Sequence, residues 1–301
     1  MTTLREGMGA RWFWYSLLTI AGWAAWALLL KLGSLEIPDA PALFLQTLGM
    51  LPLALLLLVA GTVRGPQDRR GVIYSLLNGS ITGIGILFLL AAYRTGGNTA
   101  VVSVTTALYP LVTCALAVFL LRERLTRRQW LGLALSVAAI VLFAWPEHAA
   151  GDAAGNAAGA AASPLLAPWL LYTILALACF GIVGFLQKVS TDRVSAESAL
   201  VWLIVGFMLL LPFIYSGPSM FQYPPRSIAY VVAGGLLNAL GSWALLAAMK
   251  NGGKAAIVVP MTAVYPLLVC VVAPLLLHEH LTRAQGAGVT LGLAAILLLA
   301  S

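Results

Sequence analysis

Residues 91–144, AAYRTGGNTAVVSVTTALYPLVTCALAVFLLRERLTRRQWLGLALSVAAIVLFA, return at 247–300 as AAMKNGGKAAIVVPMTAVYPLLVCVVAPLLLHEHLTRAQGAGVTLGLAAILLLA. The copies lie 156 positions apart and align without a gap, with 27 of 54 residues identical. A passage repeated at this length points to a chain built from two equivalent halves. The rest of the sequence says what solvent those halves occupy.

Of the 301 residues, 61% are hydrophobic and 9% charged, with a mean hydropathy of +0.97. A soluble domain carries about 25% charged residues, so lipid is the solvent here. Apolar runs long enough to cross about 30 Å of hydrocarbon predict ten membrane helices, at 12–33, 41–62, 72–93, 99–121, 127–146, 165–187, 196–216, 226–248, 255–277 and 284–300. This all-α polytopic architecture leaves no room for a soluble catalytic domain. The net charge of +7 does not imply nucleic acid, because the basic residues gather at span ends, where membrane topology places them. Arg5 and Arg11 precede the apolar run Trp12 to Leu30, which is longer than a signal-peptide core and is expected to stay as the first helix. Cys114, Cys179 and Cys270 lack CxxC spacing and read as membrane-embedded thiols rather than metal or redox groups.

Five spans precede the Ala/Gly-rich stretch 147–164 and five follow it, so 1–146 forms one repeat, 147–164 a flexible linker and 165–301 the second repeat. Five is odd, hence the second repeat enters the membrane inverted. Equivalent loops must then face opposite sides, and one should lose its basic character. The loop RERLTRR at 122–128 has a net charge of +3, and its counterpart HEHLTRA at 278–284 has none. With both termini cytoplasmic, 13 Lys/Arg lie inside and four outside (Lys31, Arg94, Arg226 and Arg283), as the positive-inside rule requires. Inverted repeats of this kind are typical of secondary carriers.

Two duplicated motifs carry the finer expectations. Thr126-x-x-Gln129 and Thr282-x-x-Gln285 have capping-box spacing and would start the fifth and tenth helices. Glu123 and Glu279 would end the preceding helices, where the macrodipole disfavours a carboxylate, with Arg127 and Arg283 four residues on as partners. A structural clasp or a gate fits both pairs. Thr106-Ala-Leu-Tyr109-Pro110 and Thr262-Ala-Val-Tyr265-Pro266 fall halfway along spans four and nine. A proline there deprives the carbonyl four residues earlier of its partner, so Thr106 and Thr262 would each expose a carbonyl and a hydroxyl beside a tyrosine at the midplane. Interrupted helices at matching positions point to a central binding site; a kink satisfied by its own hydroxyl is the structural alternative. Asn78, Asn238 and Gln46 lie within spans and need partners, whether helix or ligand. Gln187 lies close enough to a helix end to snorkel. Trp23 and Trp243 are candidates to stack on a substrate. No Asp, Glu, Lys or Arg lies deep in a span and no P-loop occurs, which argues against an intramembrane proton relay and against ATP hydrolysis by that motif.

The A-x-x-x-x-G-G turn, the T-A-x-Y-P stretch and the E-x-L-T-R-x-Q motif closing each repeat resemble the EamA family of the drug/metabolite transporter superfamily over essentially the whole chain. The resemblance implies a bundle with a central cavity between the two halves, opening alternately to each side as the two repeats rock. It also implies a permease, most often an exporter of amino acids or related small compounds. The expected function is therefore transport of a small neutral or zwitterionic metabolite across the cytoplasmic membrane. The alternative is a flippase for a lipid-linked or amphiphilic substrate. An enzyme is not expected, since no catalytic constellation occurs within the spans. No cofactor is expected either. Expected partners are the substrate and the bilayer, with a homodimer compatible and nucleic acid not.

Overall fold

The computed structural model describes residues 10–34, 36–63, 67–95, 106, 108–143, 168–215, 217–265, 268–269, 272 and 283–300. Its helices are α1 (Arg11–Ser34), α2 (Asp39–Val59), α3 (Arg69–Arg94), α4 (Tyr109–Leu120), α5 (Arg127–Phe143), α6 (Pro168–Thr191), α7 (Ala196–Met208), α8 (Pro225–Lys250), α9 (Ala255–Thr262) and α10 (Arg283–Leu299). There is no strand among the described residues, as expected where only helices can pair every backbone group within a lipid-facing segment. Among the described residues, six segments are long and apolar enough to cross a membrane: 11–30, 40–59, 69–89, 168–191, 196–214 and 225–250. Tyr109–Leu120 and Gly286–Leu299 are shorter apolar helices. The expected linker 147–164 and residues Pro266, Cys270, Glu279 and Thr282 lie outside the described residues, as do the side chains of Arg283 and Gln285.

Local chemistry sets several helix ends. α7 stops at Met208, and a short helix, Leu211–Ile214, restarts with Pro212 in its first turn, where a missing N–H costs nothing. At the start of α5 the capping box is formed. Gln129 N–H donates to Thr126 Oγ1 at 3.2 Å, and Thr126 N–H donates to Gln129 Oε1 at 3.0 Å.

The largest helix contacts join the repeats rather than lying within them. α1 packs on α8, α3 on α6, α5 on α10, α2 on α8 and α7 on α3. In a duplicated chain, α1 on α8 and α6 on α3 are the same contact made twice. Glycines show the same equivalence at the residue level for α3 on α7 and α8 on α2. A Cβ at Gly79 of α3 would stand 1.9 Å from Leu203 O of α7, and one at Gly235 of α8 would stand 2.1 Å from Gln46 O of α2. Gly49 likewise meets Val232 O at 2.2 Å, and Gly206 meets Leu76 O at 2.2 Å. Residues 79 and 76 lie 156 positions before 235 and 232, and 46 and 49 lie 157 before 203 and 206. Only glycine permits backbones this close.

Two composite layers result: α1, α2 and α8 on one side, α3, α6 and α7 on the other. Each mixes helices of both repeats. Leu56, Val59, Phe119 and Phe213, more than half exposed, form part of the apolar outer surface that hydrocarbon covers. At the end carrying the arginine-rich loop, Arg193 Nη1 meets Asp68 Oδ2 at 2.8 Å and Ser198 Oγ donates to Gln67 Oε1, again between repeats. At the opposite end Ser227 Oγ donates to Glu36 Oε2.

Candidate functional site

A cavity of about 720 Å³ separates the two layers, within the roughly 300–1,000 Å³ usual for small-molecule sites. α1 contributes Trp23 and Trp26, α2 Gln46, and α8 Asn238 and Ser242. The facing layer contributes Asn78 and Thr82 from α3, with Phe180 and Gln187 from α6. Tyr109, at the start of α4, and Tyr265, in the turn after α9, line it from the duplicated motif. No Asp, Glu, Lys, Arg or His is among the described lining residues.

The tyrosines occupy related places. Tyr265 sits edge-on to Trp23, with ring centroids 5.9 Å apart, and 6.2 Å from Trp26. Tyr109 sits edge-on to Phe180 at 6.5 Å. Adding 156 to Trp23 gives Cys179, one residue before Phe180, so each tyrosine leans on the equivalent helix of the other repeat. The polar groups are less symmetric. Trp26 Nε1 donates to Gln46 Oε1 at 2.8 Å. Thr82 Oγ1 donates to Asn78 O at 2.7 Å and lies 3.5 Å from Asn78 Oδ1. Trp23 Nε1 and Asn78 Nδ2 are buried without a hydrogen-bond partner among the described residues.

Thus Trp23, Gln46, Asn78, Tyr109, Asn238, Thr262 and Tyr265 come together around one space. Thr106 is buried but not among the lining residues. Trp243 is not there either: its indole donates to Glu197 Oε1 at 3.1 Å, and its ring packs edge-on against Tyr15. One step along α8 from Ser242 turns a side chain about 100° away, which is why a tryptophan beside a lining residue faces elsewhere.

The expected exposed carbonyl at Thr262 is corrected by the backbone. Thr262 O accepts from Tyr265 N at 3.1 Å, and Thr262 Oγ1 donates to Val258 O and Val259 O at 2.9 and 3.1 Å. A tight turn and a back-bonded hydroxyl satisfy the site locally, which leaves the tyrosine as the polar group offered. In the first repeat Pro110 stands in the first turn of α4, where its lack of an N–H is harmless.

Glu123 is corrected as well. It does not pair with Arg127. Its carboxylate accepts from Ala255 N at 3.0 Å and Ala256 N at 2.9 Å, so it caps α9 of the other repeat. Lys254 Nζ adds a bond to Arg124 O at 2.6 Å. Arg122, at φ 54, is the non-glycine residue with positive φ among the described residues, and it turns the chain before Glu123. The macrodipole that disfavours a carboxylate behind α4 favours it in front of α9.

Trp26, Thr82, Gln187, Ser242 and Phe180 also line it. Trp26 lies three residues from Trp23, on the same helix face, and Thr82 lies 156 positions before Asn238; both relations are visible in the sequence. Nothing local distinguishes Phe180 from other apolar residues of its span.

Comparison with known proteins agrees with this architecture. An uncharacterized protein of Methanocaldococcus jannaschii is 27% identical over 130 residues, covering 43% of this chain and 94% of that protein. That relative is therefore about one repeat long. A crystal structure of a protein 18% identical in sequence superposes with a TM-score of 0.70 over 95% of both chains, which shows a shared fold. The model of the EamA-like transporter family matches residues 10–145 and again 167–301, once per repeat. With both halves matched and multi-pass apolar helices in place, the chain belongs to the EamA-like transporter family of membrane proteins.

Proposed function

We propose that the protein carries a small neutral or zwitterionic metabolite, such as an amino acid, across the cytoplasmic membrane by alternating access, as an exporter. The observation that carries this reading is the cavity between the layers, walled by Tyr109, Tyr265 and amide side chains and with no charged side chain among the described lining residues. A bare ion would find no counter-charge there. A neutral or internally compensated solute meets hydrogen-bonding groups and aromatic faces instead. Because the layers interlock helices of both repeats, the bodies that move are the layers rather than the repeats. Ten crossings with both termini inside accommodate the 13 to four distribution of Lys/Arg.

The test is uptake of labelled amino acids by proteoliposomes, beside thermal shift of the detergent-purified protein. Tyr109→Phe and Tyr265→Phe should each weaken binding by about tenfold, the value of one hydroxyl hydrogen bond of roughly 1.4 kcal/mol. Saturable uptake that survives both substitutions would remove the cavity from the reading. The aliphatic stretch of wall at Leu30, Ile86 and Leu89 favours a second reading, a carrier of amphiphiles. Movement of a short-chain lipid analogue without amino-acid uptake would establish that one.

A further inference from the structure

We propose that Gln46 and Asn78 dock a hydrogen-bond acceptor oxygen of the substrate, a carboxylate or carbonyl, so that the cavity discriminates against ligands carrying donors alone. The inference rests on the cavity as the transport site. Gln46 is 4% exposed, lines the cavity and accepts from Trp26 Nε1. An indole N–H only donates, so the contact fixes the Gln46 amide, with Oε1 spent on Trp26 and Nε2 left as the group to offer. No described residue accepts from Nε2. Asn78 is 1% exposed, lines the same cavity, and its Nδ2 is likewise without an acceptor. Buried donors are seldom left unpaired, so Asn78 Nδ2, with the Gln46 amide lining the same cavity, calls for an acceptor oxygen.

The repeat register shows that these donors are not simply a by-product of the duplication. The position equivalent to Gln46 is Leu203 and that equivalent to Asn78 is Gly234, so both donors belong to the first repeat. A twofold scaffold is thereby given a polar direction, which suits a ligand with unlike ends. The ammonium of a zwitterion can lie against the faces of Trp23, Trp26 and Tyr265. A monoamine could use those faces too, but it would leave the amide N–H groups unpaired.

Gln46→Glu isolates the claim. A carboxylate oxygen still accepts from Trp26, while the N–H donors become lone pairs and a negative charge. Thermal shift of the purified full-length protein would compare amino acids with the amines lacking their carboxylates: alanine with ethylamine, leucine with isoamylamine, and phenylalanine with phenethylamine. We expect at least one amino acid to bind the unsubstituted protein, its amine to bind about tenfold more weakly or worse, and Gln46→Glu to reverse the order. Asn78→Asp makes the same exchange at the second donor and serves if Gln46→Glu does not fold. An amine that binds the unsubstituted protein as tightly as its amino acid, or an unchanged order in the folded variant, overturns the inference and leaves the transport reading standing. Silence of the whole panel against the unsubstituted protein overturns both.

Discussion

The two repeats agree where they touch each other and in the tyrosines they turn to the cavity, and differ in the amides that line it. Gly79 meets Leu203 as Gly235 meets Gln46, and Gly49 meets Val232 as Gly206 meets Leu76. Along the cavity, Gln46 stands opposite in register to Leu203, and Asn78 to Gly234. Close backbone packing tolerates almost no side-chain volume, so both copies keep the glycines. A cavity wall tolerates change. Duplication thus explains the scaffold, and divergence explains the site.

The largest effect should come from the shared packing. A Cβ at Gly79 or Gly235 strikes a carbonyl oxygen at 1.9 or 2.1 Å, which no rotamer can relieve. Gly79→Ala and Gly235→Ala should each cost about 3 kcal/mol or more, the upper range for overpacking, seen as lost yield or a much lower melting temperature in detergent. One severe variant beside one silent variant would break the symmetry. Next comes the clasp between repeats. Glu123→Ala removes both acceptors from the start of α9 and should destabilise by about 2 kcal/mol, with Glu123→Gln intermediate because one carbonyl oxygen remains. Equal melting of all three proteins would show that the cap contributes nothing.

A smaller change should follow from Trp243→Phe, which cuts the bond to Glu197. It should lower stability by about 1 kcal/mol and leave ligand binding unchanged. A binding defect would put Trp243 back among the site residues. The smallest effect belongs to Asp68. Hydrogen bonds from the Arg193 side chain, and then the Arg70 backbone N–H, hold its carboxyl below the usual range. A depressed carboxylate contributes stability above its ordinary pKa and loses it as pH falls through the lowered value. Asp68→Asn should therefore flatten the acid limb of the melting profile only slightly, because the pair is exposed and solvent screens it. A change at pH 7 as large as that of Glu123→Ala would reverse this ranking.

Much of the site was legible because the duplication can be read in register. Tyr109 and Tyr265 follow from the repeated T-A-x-Y-P motif, and the in-span amides stand out against an apolar background. The capping box at Thr126 and Gln129 was legible for the same reason, being a local pattern of four residues. What stayed hidden depended on partners far along the chain. Glu123 has an arginine four residues away, yet its carboxylate is used by Ala255 and Ala256. Thr262 was expected to offer a carbonyl, and a four-residue turn closed it.

The sequence by itself determined the solvent, the two repeats and the polar residues available within the apolar spans, because hydropathy and self-similarity are written in linear order. Only the tertiary structure decided that the repeats interlock into mixed layers, that Trp26 rather than Trp243 faces the cavity, and that Gln46 must present N–H groups. Those outcomes turn on which helix face meets which neighbour, and a side chain's hydrogen bonds are fixed by whatever long-range packing brings within 3 Å.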